Sequence, residues 1–354
     1  MTIKHIVLCG GGPVGLTSYG ILRELTLQKI INFENIKSIY STSIGSIIGV
    51  IYILNMDWEW MDDFLIKRPW INLINISSHD YLNLLNTKGL LDEKFIINII
   101  KPLLLAKDID INITLEEFYT KTNIDLHIFT CNLNTFSKVD LNHKTYPSLE
   151  LYKAITMSCS IPIFLKPPYY NNEYYLDGGI FCNCPVNECY YGEKCEKDEI
   201  FAIVNDKRYP IDKNNTFYNK DVTCIDSNNQ ILNQNTNLVD FLLYILKTIY
   251  QKLMTLENEN LIDIKNTINV CLTKYSLDLN YWNYVFSNEK ERIRLIDLGK
   301  TLTTEFIEIS NTKNTEDTKD TVDNKDTKDN KDTKDNKDTK DTNDTKDVNI
   351  NNIK

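Results

Sequence analysis

The chain has 354 residues, a formal net charge of -10 and 42% apolar residues, which is enough for a sizeable core in one large domain or two small ones. The acidic balance, without a basic stripe interleaved with aromatics, argues against nucleic acid as a partner. No apolar run approaches the roughly 20 residues that span a bilayer, and the opening stretch is too short for a signal peptide, so the expectation is a cytoplasmic protein at most peripheral to membranes.

In chain order, residues 5–9 are a short apolar run that predicts a buried parallel strand. Gly10-Gly11-Gly12-Pro13-Val14-Gly15 follows, and residues 15–28 carry apolar side chains at helical spacing. Residues 36–40 predict the next strand and residues 44–56 an apolar helix. Two strands joined through a helix imply a right-handed parallel crossover and an α/β sheet. Trp58, Trp60, Phe64, Trp70 and Ile71 come next, either as core side chains or, for Trp58 and Trp70, as the border of a cleft that meets lipid. Further on, residues 124–131 predict a strand, 149–158 a helix, 174–176 a short strand ending at Asp177, and 202–204 a weaker strand. Residues 234–258 predict a helix with Leu238, Phe241, Leu242, Ile245, Ile249 and Leu253 on one stripe, which core packing explains better than membrane contact.

From Asn311 the sequence turns into repeats of Asp, Lys, Thr and Asn, with 10 Lys against 12 Asp plus Glu. Such a segment cannot bury a core. The expected organisation is therefore a folded domain over residues 1–310 and a structureless tail over 311–354. Nine cysteines lack the density of a disulfide scaffold and are expected to be free thiols. Cys182, Cys184, Cys189 and Cys195 lie close together without paired CxxC spacing, so packing accounts for them better than zinc.

The glycine cluster between the first strand and helix has two chemical meanings. It satisfies the GxGxxG pattern of dinucleotide folds, with Glu34 placed as a ribose-binding acid, and it equally suits an oxyanion hole, because both uses exploit backbone N–H groups at a helix start. The second strand ends in Ser41-Thr42-Ser43-Ile44-Gly45 and runs into an apolar helix. Small neighbours around Ser43 permit the sharp turn of a nucleophile elbow. The chain has four histidines, His5, His79, His127 and His143, and all precede Asp177. A serine, acid, histidine order would have to use Asp125 with His127 or His143, which is cramped. An aspartate acting directly on the serine is the remaining option, and Asp177, followed by Gly178 and Gly179, supplies it.

Taken together, the glycine cluster, the Ser41–Gly45 motif and the Asp-Gly-Gly motif resemble the patatin-like phospholipase family. Supporting segments are Thr114 to Tyr119, Ile124 to Ile128, Cys131 to Leu133, Ala154 to Pro162 and Tyr175 to Pro185, so the likeness covers about residues 5–205. It implies a three-layer α/β/α sandwich with a mostly parallel central sheet. It further implies a phospholipase A-type lipid acyl hydrolase without metal or cofactor, Ser43 as nucleophile, Asp177 as base, and Gly10, Gly11 and Gly12 as the oxyanion hole. The substrate would be a phospholipid or other lipid ester. Two positions depart from the family pattern: Val14 stands where Lys or Arg is usual, and Ser41 replaces a glycine. An oxidoreductase using the glycine cluster and an inactive lipid-binding relative are the alternatives.

Overall fold

The computed structural model describes residues 2–205 except 75 and 77, residues 232–270 except 235 and 237, and residues 279–323. In its first half the elements are β1 (His5–Leu8), α1 (Gly15–Leu27), β2 (Ser38–Thr42), α2 (Ile44–Ile53), α3 (Trp58–Lys67), α4 (Ser78–Thr87), β3 (Gly89–Leu91), α5 (Lys94–Leu105) and α6 (Leu115–Thr122). Then come β4 (Asp125–Asn132), β5 (Ser137–Leu141), α7 (Leu151–Ser158), β6 (Ile163–Leu165), β7 (Tyr169–Tyr170), β8 (Glu173–Asp177) and α8 (Val186–Glu193). The last are β9 (Ile200–Asn205), α9 (Leu238–Glu259), β10 (Thr267–Val270), α10 (Leu279–Ser287) and α11 (Glu289–Asp323).

β1 lies between β2 and β9 and is parallel to both, so all of its residues are buried. That position explains why its sequence is continuously apolar rather than alternating. The alternation survives in what each side chain touches. Ile6 and Leu8 join a cluster with Leu22, Ile48 and Ile155, whereas Val7 and Cys9 join another with Tyr40, Phe129, Val186 and Cys189. One face of the sheet is thus covered by α1, α2 and α7 and the other by α8, which makes the predicted three layers.

The main sheet has the order β10-β9-β1-β2-β4-β8-β7, with β5 also on β4. Its pairs from β10 to β4 are parallel, and those of β4 with β5 and β8, and of β7 with β8, are antiparallel. β3 and β6 form a separate parallel pair. The fold is the α/β/α sandwich with a mostly parallel sheet.

β4 sets where the other strands end. Along one edge its residues 125–129 pair with Ser38–Thr42 of β2, and its residues 130–132 pair with residues 175–177 of β8 running the opposite way. β5 takes the other edge. β2 and β8 therefore meet end to end, Thr42 opposite Phe129 and Asp177 opposite Thr130.

Two expectations are corrected. α9 forms where predicted, but much of its apolar stripe is not core: Leu238 is 65% and Ile249 51% exposed, Phe241 and Leu242 are exposed as well, and Ile245 and Leu253 are half-buried. The helix packs on the turn Gly178–Ile180. Second, Cys9 and Cys184 are joined in a disulfide instead of standing free, because the end of β1 runs beside the segment after Asp177, with 4.5 Å between the two Cα atoms. Cys182 and Cys189 remain free and pack in the second cluster. The chain divides into a body, Met1–Phe306, and a second unit, Ile307–Lys354. α11 continues to Asp323, so the repeats begin inside a helix; the segment has no Gly or Pro to interrupt one. Residues 324–354 of the expected tail lie outside the described residues.

Candidate active site

Ser43 stands between β2 and α2 with φ 54° and ψ -127°. A side-chain-bearing residue held at such a φ costs about 1–3 kcal/mol and persists only where its surroundings over-determine it. Here the Ser43 N–H donates to Ser158 Oγ at 2.8 Å, and Ser158 Oγ donates to Phe129 O at 2.6 Å. A Cβ on Gly45 would lie 2.4 Å from Leu8 O, so only glycine lets α2 begin this close to β1. The turn projects one hydroxyl, as a nucleophile elbow does. Ser41 fits the turn because its buried hydroxyl donates to His127 O at 2.9 Å, leaving no orphaned polar group.

The Ser43 hydroxyl donates to Asp177 Oδ2 at 2.6 Å across a sequence separation of 134 residues. The second carboxylate oxygen, Oδ1, accepts the Gly179 N–H at 2.8 Å. Gly178 presses so closely on β4 that a Cβ would sit 2.2 Å from Phe129 O, which explains why glycine follows the aspartate. Burial pushes the Asp177 carboxyl up to about 6, against the pull of its hydrogen bonds from Ser43 and Gly179. At neutral pH it is mostly ionised, yet a stronger base than an ordinary carboxylate. The Cys159 thiol also reaches Ser43, and burial pushes that thiol well above its usual range.

No histidine among the described side chains reaches the serine. His5 pairs with Ser38 at 2.8 Å, His127 lies between Asp125 and Asp140, and His143 pairs with Asp125 at 2.9 Å. Asp125 is opposite Ser38 at the far end of β2, about 13 Å away by the rise of a strand. The side chain of His79 lies outside the described residues.

The glycine cluster bridges β1 and α1 beside Ser43. The Gly10 N–H donates to Asn183 O at 3.1 Å and the Gly10 carbonyl accepts from Asn205 Nδ2. Gly10 is therefore engaged and leaves the expected set of oxyanion donors. The N–H groups of Gly11 and Gly12 make no hydrogen bond among the described residues, and Gly12 borders the same cavity as Ser43. Val14 is buried in the main core, so the side chain at that position is a packing group. Glu34 sits on a turn ahead of β2, at the opposite end of the strand from the glycines. A dinucleotide acid belongs at the end of that strand, where Ser43 is found instead.

Beside Ser43 lies an apolar cavity of about 90 Å³, walled by Ile47 and Ile51 of α2, Ile99 of α5, and Trp282, Val285 and Phe286 of α10. Arg292 also borders it, but its guanidinium donates to the carbonyls of Ile66, Val285 and Phe286. Trp70 belongs to the wall too: it is buried, and its Nε1–H donates to Leu65 O at 2.8 Å. Trp58 packs on Tyr19 and Tyr52. Trp70 is thus an interior group and Trp58 is half-buried, whereas Trp60 is 41% exposed.

Sequence reasoning missed Ser158, Asn183, Glu257 and the wall from α10. Ser158 and Asn183 fall within the segments that carried the family likeness, and Tyr281, Trp282, Val285 and Phe286 have a readable helical spacing. Nothing in the sequence signals Glu257.

A family model described as patatin-like phospholipase matches residues 6–190, a stretch that holds the glycine cluster, Ser43 and Asp177. The protein named "Probable lipid hydrolase 463L" of Invertebrate iridescent virus 6 is 27% identical over 206 residues, 56% of this chain and 69% of its own length. "Uncharacterized protein R571" of Acanthamoeba polyphaga mimivirus is 28% identical over 189 residues, 52% of this chain and 60% of its own length. The crystal structure of VipD from Legionella pneumophila matches 87% of this chain and 67% of that one at 14% identity, with a TM-score of 0.47, too loose a likeness to argue from.

Proposed function

The chain belongs to the patatin-like phospholipase family, and on that premise we propose that it hydrolyses acyl esters of lipids with Ser43 as nucleophile and Asp177 as base. The observation that carries this reading is the 2.6 Å hydrogen bond from Ser43 Oγ to a buried carboxylate, placed at the side of an apolar cavity. Ser43 Oγ attacks the ester carbonyl as its proton passes to Asp177, giving a tetrahedral oxyanion. The N–H groups of Gly11 and Gly12 face that charge, each worth about 3 kcal/mol in the transition state. Collapse expels the alcohol, which takes the proton from Asp177 and leaves an acyl-serine. Asp177 then draws a proton from water as the hydroxide attacks the acyl carbonyl, and when this second tetrahedral intermediate collapses Asp177 returns the proton to Ser43 Oγ and the fatty acid departs. The acyl chain lies along the cavity wall.

The substrate resides in a membrane, so the protein must meet one. The outward stripe of α9, with Leu238, Phe241, Leu242 and Ile249 exposed, is the surface with the chemistry for it: an amphipathic helix of this kind lies in the head-group plane with its apolar side inward. The net negative charge favours zwitterionic or neutral lipid over strongly anionic surfaces. Among the described residues no helix is long and apolar enough to cross a membrane.

The decisive experiment exposes purified protein to a fluorophosphonate ester, followed by peptide mass spectrometry. An adduct on Ser43, with turnover of an activated ester by unlabelled protein, is the expected result. Absence of both in folded protein would leave a lipid-binding relative without catalysis.

A further inference from the structure

The segment after Asp177 returns to the glycine cluster. The Asn183 carbonyl accepts the Gly10 N–H at 3.1 Å, and Cys184 is bonded to Cys9. On the side of the nucleophile, Thr42 Oγ1 donates to Cys182 O at 2.7 Å. Residues 182–184 are therefore tied both to the residue before the oxyanion glycines and to the residue before Ser43.

What holds this segment is a carboxylate from elsewhere in the chain. Glu257 on α9 accepts the Asn183 N–H at 3.0 Å through Oε2 and the Cys184 N–H at 2.9 Å through Oε1. A carboxylate is the one side chain that presents two acceptors to two parallel donors and offers no donor in conflict. The end of α9 is itself fixed, since Asn187 Oδ1 accepts the Ile262 N–H at 2.8 Å and Asn187 Nδ2 donates to Asn260 O at 3.0 Å. Glu257 lies beyond the stretch matched by the family model and does not border the cavity.

We infer that Glu257 is a positioning residue: its carboxylate clamps residues 183 and 184 and thereby sets the Gly11 and Gly12 N–H groups against the oxyanion formed at Ser43. The inference rests on the hydrolase reading above. It makes the clamp sensitive to protonation. Burial pushes the Glu257 carboxyl up to about 7 and Glu188 adds to that rise, whereas the two N–H groups and Lys138 oppose it; the Cys182 thiol also faces it. The group is charged above that pH and loses one acceptor oxygen as pH falls through it.

The test compares full-length wild type with Glu257→Gln, which keeps the size but turns one acceptor into a donor aimed at an N–H. On a soluble short-chain ester, kcat is expected to fall by about ten- to a hundredfold with KM within about twofold, because the donors it aligns act in the transition state. The inflection near pH 7 in the wild-type kcat profile should vanish in the variant, leaving the fall near pH 6 that belongs to Asp177. Amide exchange at Asn183 and Cys184 should quicken while the rest of the chain is unaltered. If Glu257→Gln does not fold, Glu257→Asp serves, with a reduced kcat and the pH inflection retained. Unchanged kcat and pH profile in a folded Gln variant, or a loss matched by the fraction of protein that no longer labels at Ser43, would overturn the positioning role. A wild type that neither labels nor turns over would instead sink the hydrolase reading, and with it the role assigned to the clamp; unaltered exchange in the variant overturns the clamp separately.

Discussion

The polar end of the site and the part of its apolar wall that α10 supplies come from different parts of the chain and are held in different ways. Ser43, Asp177, Gly11 and Gly12 sit on turns at strand ends within residues 6–190 and are fixed by backbone hydrogen bonds and by glycines that touch neighbouring carbonyls. Trp282, Val285 and Phe286, by contrast, come from α10 and present apolar side chains to the cavity, while Arg292 donates to the carbonyls of Val285 and Phe286. A methyl group is too much at Gly178, whereas an apolar wall tolerates exchange of one hydrophobic shape for another at modest cost. On the proposed hydrolase reading, the reaction and the choice of acyl chain are therefore separable, and the second can drift while the first is kept.

The comparison breaks most visibly at the polar end. Ser43→Ala and Asp177→Asn should each lower ester turnover by about 10³-fold or more while the melting temperature stays within a few degrees. Turnover within a few-fold of wild type in either variant would remove that residue from the dyad. Val285→Trp, which fills the wall, should cut kcat/KM for a long-chain ester by about ten- to a hundredfold and spare a short-chain one; equal losses on both would show that the cavity does not hold the chain. Because Asp177 must be ionised to take the serine proton, kcat should fall about tenfold for each pH unit below about 6, beneath the separate inflection near pH 7 that belongs to Glu257. A profile flat down to pH 5 would contradict a buried base.

Smaller effects are expected outside the site. Phe241→Glu with Ile249→Glu should lower activity on zwitterionic vesicles by about fivefold and leave soluble-ester activity unchanged, and co-sedimentation with the vesicles should drop in parallel. Ending the chain after residue 310 should alter neither melting temperature nor turnover by a measurable amount, because the repeats carry almost no apolar side chains; a clear drop would move the domain boundary into α11.

The sequence made the polar end legible because its constraints are local. A strained serine needs small neighbours, and a carboxylate at a strand end needs Gly178 and Gly179, so both leave motifs. The central strands were legible as well, since burial on two faces writes a continuous apolar run. Three kinds of feature were hidden. The exposure of the α9 stripe depends on which elements come to rest against it, and Leu238 or Ile249 would look the same in a core helix. The pairing of Cys9 with Cys184 follows from the return of one segment to the end of β1 over a separation of 175 residues. The removal of Gly10 from the donor set follows from one hydrogen bond to Asn183, which no spacing rule contains. Short strands such as β6 and β7 lack enough residues to show a period at all.

The end-to-end meeting of β2 and β8 on β4 bears on the order in which the protein comes into being. A chain emerging from the ribosome exposes its serine early, but the aspartate follows 134 residues later and must pair antiparallel with residues of β4 that β2 leaves vacant. Until that pairing closes, the hydroxyl has no acceptor for its proton, and until α10 arrives the cavity has no complete wall. On the proposed hydrolase reading, nascent chains that end before Asp177 or before α10 are inert toward lipid, and the onset of hydrolysis during refolding reports completion of the sheet more sharply than recovery of helical signal does.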